Sequence, residues 1–158
     1  MTGCTMKAKS PQQRLDSFID KYTPEIAAFA RAVLDKMRSR LPGAIELVYD
    51  NYNWLVIGFG PTERPSDAIF SVVLPPGRVT LCFLQGARLP DPHCLLRGSG
   101  KVVRNLRLES PDDLDRPEVQ DLIAVGLERA RVPFDPEGDR QLIIKSVSAK
   151  QRPRRPAK

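Results

Sequence analysis

The chain has 158 residues, 41% of them hydrophobic and 28% charged, the balance of a single globular domain large enough to bury a core without metals or disulfides. No apolar run approaches the roughly 18 residues of a membrane span, and the first ten residues lack the apolar stretch of a secretory signal. Cys4, Cys82 and Cys94 are odd in number and irregularly spaced, which excludes a disulfide framework and a Cys-x-x-Cys site. The expectation is a cytoplasmic protein with free thiols and no membrane partner, Cys82 being buried and inert in an apolar strand. The net charge of +6 is uneven: residues 131–158 carry eight basic and three acidic side chains, whereas residues 11–130 carry 15 and 16. The main body is therefore nearly neutral, and the high pI of about 9.5 belongs mostly to an appendage.

Residues 1–10 read as a disordered N-terminus, followed by one domain over residues 11–148. From Pro11 to Tyr22, Leu15, Phe18, Ile19 and Tyr22 recur at helical spacing. Thr23-Pro24-Glu25 restarts the chain with a capping hydroxyl, a proline suited to a first turn and an acid suited to the positive helix end. Ile26, Phe29, Ala30, Val33, Leu34, Met37 and Leu41 then form the stripe of a long amphipathic helix, stopped by Pro42-Gly43.

After Gly43 the pattern changes to short β-branched and aromatic runs at residues 45–49, 54–59, 68–74, 78–84 and 102–108. Short links favour an antiparallel meander, since parallel neighbours need long crossovers. Asp112, Asp113 and Asp115 precede another helix, where their charge suits an N-terminus, and Gly126 within it implies close helix–sheet contact. Residues 142–147 read as a last strand on a sheet edge. The fold class is thus α+β, an antiparallel sheet of five to six strands with N-terminal and C-terminal helices on it. Residues 149–158 form a basic, proline-rich tail without large apolar side chains, expected to be mobile when alone.

Few residues suggest chemistry. His93 is the only histidine and adjoins Cys94, poor spacing for a metal or a nucleophilic pair. Arg97-Gly-Ser-Gly-Lys101 lacks the upstream glycine and the following hydroxyl of a phosphate-binding loop, and it leads into a strand. Arg104 shares a strand face with Val102, Leu106 and Leu108, so it needs a carboxylate, carbonyls or a ligand as acceptor. Tyr49-Asp-Asn-Tyr-Asn-Trp54 combines turn chemistry with aromatic and amide groups suited to ligand contact.

The strand Leu81-Cys-Phe-Leu84, with Gln85-Gly-Ala-Arg-Leu-Pro-Asp-Pro92, Leu95-Leu96, Gly98-Ser-Gly-Lys101 and Arg104, resembles the YdhG-like family of uncharacterised bacterial domains. The resemblance covers about residues 14–130 and is most specific from Phe83 to Arg104. It implies a compact layer of helices on an antiparallel sheet. Some members are described as frataxin-like iron chaperones that use acidic surface residues, which would carry over to Asp112, Asp113, Asp115, Glu118 and Asp121.

Three readings follow. The leading one is a non-enzymatic binding domain holding a small polar or anionic ligand near Tyr49, Asn51, Trp54, Lys101 and Arg104. The second is iron binding at the acidic cluster. The third is an interaction protein whose Lys150, Arg152, Arg154 and Arg155 meet nucleic acid or an acidic protein partner. An enzyme is the least supported class, because one histidine and unpaired cysteines assemble no catalytic set.

Overall fold

The computed structural model describes residues 9–156. Cys4 and most of the N-terminal segment expected to be disordered lie outside them. Helix α1 (Pro11–Ile19) opens on a reciprocal cap: the Ser10 hydroxyl accepts from the Gln13 amide and the Gln13 side chain accepts from the Ser10 amide. Helix α2 (Pro24–Arg40) begins where Thr23-Pro24 predicts, the Thr23 hydroxyl accepting from the Ile26 amide. Its apolar stripe faces a six-stranded sheet comprising β1 (Ile45–Asp50), β2 (Leu55–Gly60), β3 (Phe70–Leu74), β4 (Val79–Phe83), β5 (Arg104–Leu108) and β6 (Gln141–Val147).

Strands β1 to β5 form the expected antiparallel meander, and the sheet order is β5-β4-β3-β2-β1-β6. Helix α3 (Pro117–Glu128) carries the chain between the two edges, so β6 reaches β1 in parallel orientation. A register irregularity between Val48 and Tyr49 leaves Lys145 unpaired with β1. A bulge and a lysine on an exposed edge both discourage further strand addition.

Alternation assigns one face of the sheet to the helices. Val48, Leu55, Ile57, Phe59, Phe70, Val72, Leu81 and Phe83 join the apolar sides of all three helices in one core. The opposite face is covered only in part: Val56, Val73, Thr80 and Cys82 are partly exposed there, whereas Leu47 and Ser71 are buried. Cys82 is accordingly half-buried rather than enclosed, and burial raises its thiol pKa against the lowering effect of a hydrogen bond with Ser71. Gly126 meets its expected role: a Cβ there would fall 3.2 Å from the Phe70 ring, which packs edge-on against Phe83.

Tyr22 joins helix layer and sheet. It lies beyond the end of α1, 1% exposed, where its hydroxyl donates to the Leu74 carbonyl at 2.6 Å and accepts from the Leu55 amide at 3.1 Å. Burial raises its pKa, the Leu55 hydrogen bond opposing, so it stays a neutral phenol. Tyr22→Phe keeps the ring and deprives both buried backbone groups of their partner. We expect it to lower unfolding free energy by about 1–3 kcal/mol, measured by urea denaturation. A loss below about 0.5 kcal/mol would show that those groups find other partners.

Candidate functional site

The five residues of the leading sequence reading are not brought together. Tyr49 faces outward on β1, and Asn51 and Trp54 occupy the exposed β1–β2 turn. Lys101 and Arg104 belong to the far edge, four strand spacings or about 19 Å away, and to the other end of the sheet, since Arg104 pairs with Phe83 whereas Trp54 adjoins Leu55. Arg104 finds its acceptors in the carbonyls of Gly100 and Val103. That excludes one shared pocket for the set. The meander alone separated what the chain order suggested as one site.

The acidic residues are distributed among structural tasks. The Asp113 carboxylate accepts from the Glu109 and Ser110 amides at the start of a short 3₁₀ turn, Pro111–Asp115. Asp115 is paired with Lys36 at 2.6 Å and Arg40 at 2.7 Å, and Glu118 with Arg116 at 2.6 Å. Hydrogen bonding to Lys36 lowers the pKa of Asp115, and the backbone hydrogen bond at the start of α3 lowers that of Glu118 with help from Arg116. Asp112 is exposed, with Lys36 3.8 Å away, and Asp121 is exposed on α3. These carboxylates do not converge, and among the described residues no group of three or more acidic, histidine or cysteine side chains is placed to hold a metal ion.

The tail departs most from expectation. It is docked: the Ser148 amide donates to the Asp50 carbonyl and the Arg152 amide to the Tyr52 carbonyl, both at 2.8 Å. Arg154 is 4% exposed, its guanidinium donating to the Asp50 carboxylate at 2.8 Å and to the carbonyls of Asn51 and Tyr52. Asp50, itself fully buried, also accepts from Lys21 at 2.8 Å. The mobile-tail argument counted apolar burial, whereas charge and backbone hydrogen bonds hold this segment. Arg154 is thereby an internal anchor rather than a surface contact. Lys150, Arg152 and Arg155 remain exposed, with no carboxylate in ion-pair range among the described residues.

A cavity sequence reasoning missed lies at the opposite end of the sheet. It has a volume of about 440 Å³, within the range of small-molecule sites. Leu89 and Ala130 give it apolar walls, while Phe70, Phe83 and Gly126 border it from within the core, almost wholly buried. Arg88, Arg129 and Arg131 line its rim, with Gln85 and Asp67. The three arginines are exposed and none is ion-paired among the described residues, and Arg129 donates to the Arg88 carbonyl at 2.7 Å. Asp67 already accepts from the Thr62 hydroxyl at 2.7 Å. Arg129 and Arg131 follow the end of α3, where their charge complements its negative pole. Only the fold adds Arg88 to them.

No family model matches the chain, and no curated protein or solved structure matches it significantly. The site is therefore read from its own geometry.

At Asp50, burial raises the carboxyl pKa, but hydrogen bonds from Lys21 and Arg154 outweigh it and hold the group below the ordinary carboxylate range. Its stabilising contribution is therefore present above the unfolded value of about 3.9 and is lost as pH falls through the lower folded value. Asp50→Asn strands the Arg154 guanidinium and should cost about 3 kcal/mol at neutral pH, while flattening the acid limb of the stability profile. Trypsin should then cut faster after Lys150 and Arg154, as read by mass spectrometry. An unchanged acid limb and unchanged cleavage would show that Asp50 does not hold the tail.

Proposed function

We propose that this protein is a binding domain for a small organic anion with an apolar ring or short chain, a carboxylate or phosphate monoester, held in the arginine-rimmed cleft. The observation that carries this reading is that Arg88, Arg129 and Arg131 line one cavity together with Leu89 and Ala130. Guanidinium groups offer planar, forked donors matched to carboxylates and phosphates, and they keep their charge at any physiological pH. The partly exposed side chains of Leu89 and Ala130 take the ligand's apolar body. Asp67 and Gln85 on the same wall add an acceptor and an amide that would discriminate among anions by their remaining donors. The stretch on which the YdhG-like resemblance is most specific supplies Phe83, Gln85, Arg88 and Leu89 to this cleft. This reading keeps the class of ligand expected from sequence and moves its place.

The test is a panel of small aromatic and short-chain carboxylates and phosphate monoesters, screened by thermal shift and confirmed by calorimetry and amide NMR. A binder should shift the Gly126 and Arg129 amide resonances. Arg88→Gln and Arg129→Gln should each weaken it about tenfold or more, whereas Lys101→Gln, outside the cleft, should leave affinity unchanged. Binding that survives both cleft substitutions, or no binding across the panel, would overturn the proposal.

A further inference from the structure

The β1–β2 turn and the docked tail build a second surface, independent of the cleft. The turn Asn51-Tyr52-Asn53-Trp54 is closed by the Asn51 amide donating to the Trp54 carbonyl at 3.0 Å, and it projects Tyr52, 50% exposed, and Trp54, 41% exposed. Each ring keeps a large share of its surface open, apolar area that a partner could cover. The tail lies against them because Arg154 is anchored on Asp50 and the Arg152 amide on the Tyr52 carbonyl. Its neighbours then flank the rings. The Arg152 guanidinium sits 5.6 Å from the Tyr52 ring centre, and Trp54, Arg152, Arg155, Pro76, Pro153 and Pro156 line an open groove of about 310 Å³.

The groove's lining includes no carboxylate. The nearest acid in the sequence, Asp50, is fully buried and already engaged by Lys21 and Arg154. Arg155 spends only its Nε, on the Lys21 carbonyl at 3.3 Å. The surface thus combines two partly exposed aromatic rings, that of Tyr52 beneath the Arg152 guanidinium, with two arginines, Arg152 and Arg155, that form no ion pair among the described residues. A partner complementary to both must carry planar rings together with negative charges. A peptide of acidic and aliphatic residues satisfies the charges and leaves the rings without stacking partners; a duplex satisfies the charges and keeps its bases stacked inside. Single-stranded nucleic acid satisfies both, its bases stacking on aromatic rings while arginines follow the backbone.

We infer that the Tyr52–Trp54 turn and the docked tail form a platform for a short stretch of single-stranded nucleic acid, two or three nucleotides long, bound without base sequence preference. Arg154 is a positioning residue: it holds Arg152 and Arg155 beside the rings and does not itself meet the strand.

Trp54 is the only tryptophan in the chain, so its fluorescence reports this surface alone. Titration of the full chain with a twelve-residue oligothymidylate should quench it. Affinity should fall about sevenfold between 50 and 200 mM salt, the expectation for two phosphate contacts on a single strand. Tyr52→Leu should weaken binding at least about fivefold, the loss of one stacked base, and Arg155→Gln should weaken it and flatten the salt dependence. Both positions are exposed, and circular dichroism checks that the variants remain folded. Trp54→Leu, followed by anisotropy of labelled oligonucleotide, should weaken binding to a similar degree. The inference is overturned if the oligonucleotide causes no quenching, if polyphosphate or polyglutamate binds as tightly as it does, if a duplex does so, or if Tyr52→Leu binds normally. A small organic anion that binds the Arg88 cleft without altering Trp54 fluorescence would leave both sites standing, and the failure of either is read from its own variants.

Discussion

Two buried carboxylates on one strand impose the constraint from which much of this architecture follows. Glu46 and Asp50 lie four residues apart on β1, so strand alternation turns both toward the helix layer, where neither has access to water. A buried charge without partners costs several kcal/mol, and the chain meets this cost with cations from distant segments. Arg38 of α2 grips Glu46 with two hydrogen bonds of 2.8 Å, and Arg140, just before β6, adds a third contact at 3.2 Å. Lys21, from the junction of the first two helices, and Arg154, from the tail, do the same for Asp50.

These pairs explain why the C-terminal segment is part of the fold. β6 has only a modest apolar pattern, with Leu142 and Ile144 packed against the core and Lys145, Ser146 and Val147 exposed. Hydrogen bonding to β1 and the ion pairs at its two ends fix its place and direction. The acid–cation matching also selects one register over alternatives that would bury Glu46 or Asp50 unpaired. Removing one partner of such a pair is costly even where the intact pair's net stabilisation is small.

The helices, the five-strand meander and the edge position of the last strand were legible from the residues because each rests on a local rule. Thr23-Pro24 starts a helix by satisfying its first amides, and the period of two in residues 45–108 sorts side chains between sheet faces. The candidate sites were far less legible. Tyr49 to Trp54 and Lys101 to Arg104 are chemically suggestive, but a meander places its first and last strands at opposite edges. The acids from Asp112 to Asp121 form a cluster in the sequence and disperse in space, because caps and ion pairs with Lys36, Arg40 and Arg116 draw them apart.

By itself, the amino-acid order determined which segments are helical, which are extended and which face of each is apolar, since those depend on spacing and on neighbours within a few residues. The basic tail was equally plain as composition. Only the tertiary structure decided that Arg154 is internal while Arg152 and Arg155 remain outside, that β6 runs parallel to β1, and that Arg88 lines one cavity with Arg129 and Arg131. Each of those outcomes depends on a partner dozens of residues away, and electrostatic matching in a buried setting leaves no periodic trace along the chain.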